Sequence, residues 1–123
     1  MSQAIHGFSV NIGALSNASR PVFKVPTAYG GITIVGAQCI QGGAGTTQLD
    51  LVEMDSGGTS NVGTAGTFGT VYATNVPNAA TLTAASCFVD GGNYIGIKEN
   101  NVGAANAVTI VSIQYVMGKG SAA

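Results

Sequence analysis

His6-Gly7-Phe8-Ser9-Val10-Asn11-Ile12 sets apolar residues at every second position from Phe8 and small polar ones between them. Side chains of an extended strand point alternately to opposite faces. Phe8, Val10 and Ile12 therefore share a dry side, and Ser9 and Asn11 a wet one. The signature recurs along the chain. Leu49 and Leu51 oppose Gln48 and Asp50 within residues 46–54, and Ile95 and Ile97 share a side within 93–99. Residues 107–117 form the strongest strand signal. Residues 32–40 are small or apolar on both sides, as in a central strand covered on both faces. Pro21 and Pro26 bracket Val22-Phe23-Lys24-Val25; proline cannot donate to a ladder, so this short strand belongs at a sheet edge or end. Residues 68–74 read as a strand, and 79–86 as either two helical turns or a ragged strand, with strand preferred. Turn formers separate these runs at Gly30-Gly31, 42–45, 55–61 and Val89-Asp90-Gly91-Gly92. The Gly42 turn predicts a hairpin between 32–40 and 46–54, and Asn100, Asn101 and Gly103 predict a second between 93–99 and 107–117. About eight short strands predict an all-β fold, a compact antiparallel β-sandwich of jelly-roll type, with a Greek-key sandwich of another topology as the alternative, since strand order is not written in one sequence.

The chain has 123 residues, enough for one domain with a real core. We read residues 1–123 as that domain, with 1–15 as an N-terminal strand or arm available for assembly and 118–123 as a short tail. Charged residues make up 7%, against roughly a quarter in an average soluble domain, while 46% are hydrophobic. Such a surface is built of Ser, Thr, Asn, Gln and Gly, or is covered by other protein. Four Lys and Arg, five Asp and Glu, and a net charge of −1 give no footprint for nucleic acid, which is bound by clustered cations. MSQAIHGFSV has neither the basic region nor the apolar stretch of a secretory signal, and residues 107–117 are too short to span a bilayer. The expectation is an unexported protein without a membrane anchor. Cys39 and Cys87 then read as buried free thiols rather than a disulfide.

Chemistry-bearing residues are sparse, and we expect no catalytic, cofactor or metal site. His6, the single histidine, sits on the Phe8 side of the first strand and reads as structural. Neither cysteine has nucleophile context and G-x-S-x-G is absent. One histidine and two distant cysteines have no zinc spacing. Asp50, Glu53 and Asp55 are the one acidic cluster, but a regular strand turns Asp50 away from the other two, so they read as a solvated strand end rather than a calcium site. The Gly42 loop lacks the lysine of a phosphate-binding loop. Asn17-Ala18-Ser19 matches a glycosylation triplet, to no effect without export. Tyr29, Tyr72, Tyr94 and Tyr115 read as packing residues rather than a sugar platform.

Scarce charge without an export signal fits a protein assembled inside the cell into a larger particle, where apolar patches become subunit contacts. Ile5-His6-Gly7-Phe8-Ser9-Val10, Gly31-Ile32-Thr33-Ile34, Asn93-Tyr94-Ile95-Gly96-Ile97-Lys98 and the close at 108–118, ending Tyr115-Val116-Met117-Gly118, carry a whole-length pattern. In that pattern the chain resembles small structural proteins of tailed bacteriophages, above all head decoration or cement proteins. The resemblance implies a non-enzymatic virion subunit, a homotrimer seated on the major capsid protein lattice, and transfers no residue by motif. For docking, the residues themselves suggest Ile5 and Phe8, because chain ends extend onto neighbours. Arg20 and Lys24 are added as two cations four residues apart, the arginine suited to a partner carboxylate. The competing readings at these positions are ordinary packing and a solvated edge. For the whole chain they are a tail or fibre subunit, or an adhesin reading host glycans through residues 55–61. A small hydrolase dependent on His6 is the third class.

Overall fold

The computed structural model describes residues 4–12, 19–41, 47–71, 77–102 and 109–118. Ten strands form two antiparallel sheets: β1 His6–Asn11, β2 Ser19–Lys24, β3 Ile32–Gln41, β4 Thr47–Met54, β5 Asn61–Val71, β6 Asn78–Ala79, β7 Thr81–Leu82, β8 Phe88–Val89, β9 Tyr94–Val102 and β10 Thr109–Met117. Sheet I runs β1-β10-β3-β6, with β8 also on β3, and sheet II runs β2-β9-β4-β5-β7. The fold is an all-β sandwich. With β6, β7 and β8 taken as one broken strand, the sixth of eight, the chain alternates between sheets at every step except from β4 to β5, and this order is that of a jelly roll. That break accounts for ten strands where about eight were expected. The 79–86 segment is ragged as read, and ends in a 3₁₀ turn at Ala84–Ser86.

Both expected hairpins are corrected. β3 lies in sheet I and β4 in sheet II; β9 lies in sheet II and β10 in sheet I. The chain crosses the sandwich at both places, because each of these strands must turn its dry face to the shared core from its own side. Among the described residues, a hairpin joins β4 to β5 through residues 55–60. It is a closed turn. Asp55 N–H donates to Ser60 O (2.9 Å) and Gly58 N–H to Asp55 O (2.9 Å), while Asp55 Oδ1 accepts from Thr59 N–H at 3.0 Å. The backbone N–H of Thr59 is the main reason the Asp55 carboxyl sits below the usual carboxylate range.

β5 begins at Asn61, well before the expected Phe68. Glycines hid it. A Cβ on Gly66 would stand 2.7 Å from Thr81 O and 3.1 Å from the Leu82 side chain, so glycine is what lets β7 close on β5 there. The expected strand continuation at 72–74 lies outside the described residues.

The core lies between the sheets. Cys39, Ala37, Ile34 and Ile32 of β3 and Val111, Ile113 and Tyr115 of β10 meet Leu49 and Leu51 of β4, Ala65 and Phe68 of β5, and Ile95 and Ile97 of β9. Each fully buried aliphatic side chain is worth about 1.5–3 kcal/mol against exposure. Thr33, a buried polar residue, is satisfied by donating to Gly118 O at 2.9 Å. Cys39 and Cys87 are both buried and unbonded. Burial pushes the Cys39 thiol up to about 12. Because the thiolate is the reactive form, Cys39 should resist iodoacetamide in native protein at pH 8 and react once denatured. Mass spectrometry of the alkylated peptides reads this out, and labelling of native Cys39 would contradict the packing.

Candidate assembly interface

The distribution of charge between the sheets is the most informative surface feature. β1, β3, β6, β8 and β10 contain no Lys, Arg, Asp or Glu. Arg20 and Lys24 of β2, Asp50 and Glu53 of β4, and Lys98 and Glu99 of β9 all stand in sheet II. Asp55 and Asp90 are in turns.

Register assembles the outer face of sheet I. Ser9 pairs with Ser112 and Ser112 with Gln38; Gly7 pairs with Gln114 and Gln114 with Gly36; Asn11 pairs with Ile110 and Ile110 with Ile40. The inner alternates Val111, Ile113 and Tyr115 are buried, which sends Ile110, Ser112 and Gln114 outward. Ser9 and Ser112 hydroxyls share a 2.7 Å hydrogen bond. The result is a broad face of serine, glutamine, glycine and isoleucine with no formal charge. Depletion of charge is one feature this face shares with the cores of protein interfaces.

The residues singled out for docking fall along one lateral side of the sandwich, where the β1 edge of sheet I overlies the β2 edge of sheet II. Ile5, just before β1, is 68% exposed, more than any other large hydrophobic side chain described. Phe8 is half-buried and stacks on Phe23 of β2 at 4.6 Å between ring centroids, with Tyr115 6.3 Å away. His6 stacks on Tyr115 at 5.5 Å. Burial, then the neighbouring Tyr29, raises the Tyr115 hydroxyl above its ordinary value.

Arg20 has an internal position. Its Nη1 donates to Ile12 O at 2.6 Å, and its Nε lies 3.4 Å from Oε1 of Glu99, whose side chain is wholly buried. Glu99 follows Ile95 and Ile97 on the inward side of β9, so the carboxylate suited to Arg20 belongs to the same chain. Lys24 is exposed, with its Nζ 5.6 Å from the centre of the Tyr94 ring. Such a contact is worth about 0.5–1 kcal/mol.

The acidic cluster does not converge. Glu53 Oε2 accepts from Asn93 Nδ2 (2.8 Å) and Asp90 N–H (3.1 Å), fixing the turn before β9, while Asp55 closes its own hairpin. β4 pairs with β9 in unbroken register from Leu49 to Met54, which keeps the alternation that sets Asp50 opposite Glu53; the extra residues at the β4–β5 register shifts belong to β5. Among the described residues there is no pocket, no group of three or more His, Cys, Asp or Glu placed for a metal ion, and no helix long and apolar enough to cross a membrane. Tyr29 packs against the core and Tyr94 is half-buried; Tyr72 lies outside the described residues.

No family model and no curated protein matches the chain. Two solved structures are similar to it. One comes from Bacillus endospore appendages, a family of disulfide-linked pili, with a TM-score of 0.44 and 15% identity over 97% of this chain and 93% of that one. The other is from the capsid asymmetric unit of cyanophage Pam1, with a TM-score of 0.47 and 19% identity over 93% of this chain and 84% of that one.

Proposed function

We propose that the chain is a virion structural subunit, a decoration or cement protein that seats the outer face of sheet I on the major capsid protein of a phage head and reinforces it. The observation that carries this reading is the charge-free sheet I. In a chain with so few ionic side chains, all those placed in strands lie on the other sheet, leaving one complete face without the charges that keep a free surface dispersed. Burying such a face against protein strands no ion without a partner. The whole-length resemblance to small phage structural proteins supplies the particle and the non-enzymatic role. Immunogold electron microscopy of particles carrying a tagged copy tests the assignment. Label over heads is the expected result; label confined to tails would replace it with the tail-subunit reading, and unlabelled particles would end both.

A further inference from the structure

A sheet edge is a row of unpaired backbone donors and acceptors, and proteins blunt such edges with proline, charge, bulges or very short strands. Three of the four edges here are blunted. β2 carries Pro21, a register shift between Pro21 and Phe23, and the cations Arg20 and Lys24. β7 is two residues long, and the β6/β8 side of sheet I consists of two-residue pieces. β1 has none of these devices. Its six residues contain no proline and no Lys, Arg, Asp or Glu, they pair with β10 in unbroken register, and among the described residues no strand lies on the other side.

We propose that β1 is a self-association edge, taking β1 of a second copy of this chain in antiparallel pairing about a two-fold axis at Ser9. The occupant follows from the strand's self-complementarity. With the axis at Ser9, Phe8 faces the second copy's Val10, His6 its Ile12, and Gly7 its Asn11. Phe8, Val10 and Ile12 all pack against the core cluster, so the dry face meets a dry face and the aromatic–aliphatic pairing favoured across strands is made twice. On the wet face the Ser112–Ser9 row continues into its own copy. No charge opposes another. The same operation on β2, about Val22, would set Arg20 against Lys24. The contact is isologous and closes on itself, which keeps an open edge from propagating into fibres. It stands independently of which particle carries the protein.

Cysteine cross-linking of the full-length protein tests this. The copies of residue 9 would sit directly opposite, within disulfide reach, whereas those of residue 11 would be about 14 Å apart. Both positions are exposed, and the buried Cys39 and Cys87 make the parent protein the blank. Under mild oxidation Ser9→Cys should give a covalent dimer, free or within a larger oligomer, and Asn11→Cys should not. Cross-linking at neither position, at both alike, or at 11 alone overturns the proposal. Sedimentation velocity supplies a second readout. Ser9→Lys, which opposes two ammonium groups on the axis, should weaken self-association by about tenfold or more. A parent protein that sediments as a monomer at every concentration, or a Ser9→Lys variant that associates unchanged, also overturns it. Head labelling by immunogold is unaffected by either outcome, so the two readings fail separately.

Discussion

Arg20→Ala should lower the unfolding free energy by about 2–3 kcal/mol, read from urea denaturation, although Arg20 lies on an edge strand. Removing it leaves the wholly buried Glu99 carboxylate short of its cation, and uncompensated buried charge is among the costlier defects a fold can carry. The estimate is set below the range for fully buried pairs because the arginine side chain is one-third exposed. The substitution also releases Ile12 O, the point where the end of β1 is tied to sheet II. Arg20→Lys should recover only part of the loss, since one ammonium cannot reach both the carbonyl and the carboxylate as the guanidinium fork does. Arg20→Met combined with Glu99→Leu should sit nearer the parent than either single change, because removing both partners removes the desolvation penalty with the attraction. A cost below about 0.5 kcal/mol for Arg20→Ala, the range of ordinary surface substitutions, would contradict the internal role.

Gly31→Ala should cost about 3 kcal/mol by the same measurement. Gly31 is buried with φ at +93°, in the left-handed region that penalises any Cβ. A Cβ there would lie 2.3 Å from Cζ of Phe88 and 2.9 Å from Val89 O. Backbone strain and overpacking therefore add, and relief requires β8 to move off β3, where Ile32 faces Val89 and Thr33 faces Phe88. Gly63→Ala is the matched control, since its φ is ordinary and nothing lies within 4 Å of the added methyl. It should change stability by less than about 0.5 kcal/mol. Equal effects at the two glycines would show that the β3–β8 approach is not as tight as the structure has it.

The fold was largely legible because its signal is short-ranged. Phe8/Val10/Ile12, Leu49/Leu51 and Ile95/Ile97 each announce a dry side within a few residues, and all of these side chains turn to the core. Pro21 likewise places β2 at an edge. What failed was connection. The periodicity of β3 and β4 is the same whether they pair with each other or face each other across the core, so turn formers between them suggested a hairpin that is a crossover. The early start of β5 was lost for a related reason: Gly63 and Gly66 weaken local strand preference, while the approach of β7 that requires Gly66 is visible only in three dimensions. The same holds for Arg20, whose partner Glu99 lies 79 positions along the chain and inside the sandwich. The charge-free sheet was within reach of the sequence. Residues 6–12, 32–40 and 107–117 contain no Lys, Arg, Asp or Glu, but the shared face appears only once these three segments are known to be neighbours.

The central claim is that the outer face of sheet I is the surface built to meet protein. Gln38→Lys sets a lysine at an exposed position in the middle of that face, in register with Ser112 and Ser9, and Lys98→Gln alters charge on sheet II. The most direct measurement is the occupancy of each variant on purified heads, by quantitative mass spectrometry against the parent. The account predicts about a tenfold or greater loss for Gln38→Lys, from burying an unpaired ammonium, with Lys98→Gln near parental occupancy. Full occupancy of Gln38→Lys, or a loss confined to Lys98→Gln, would contradict it.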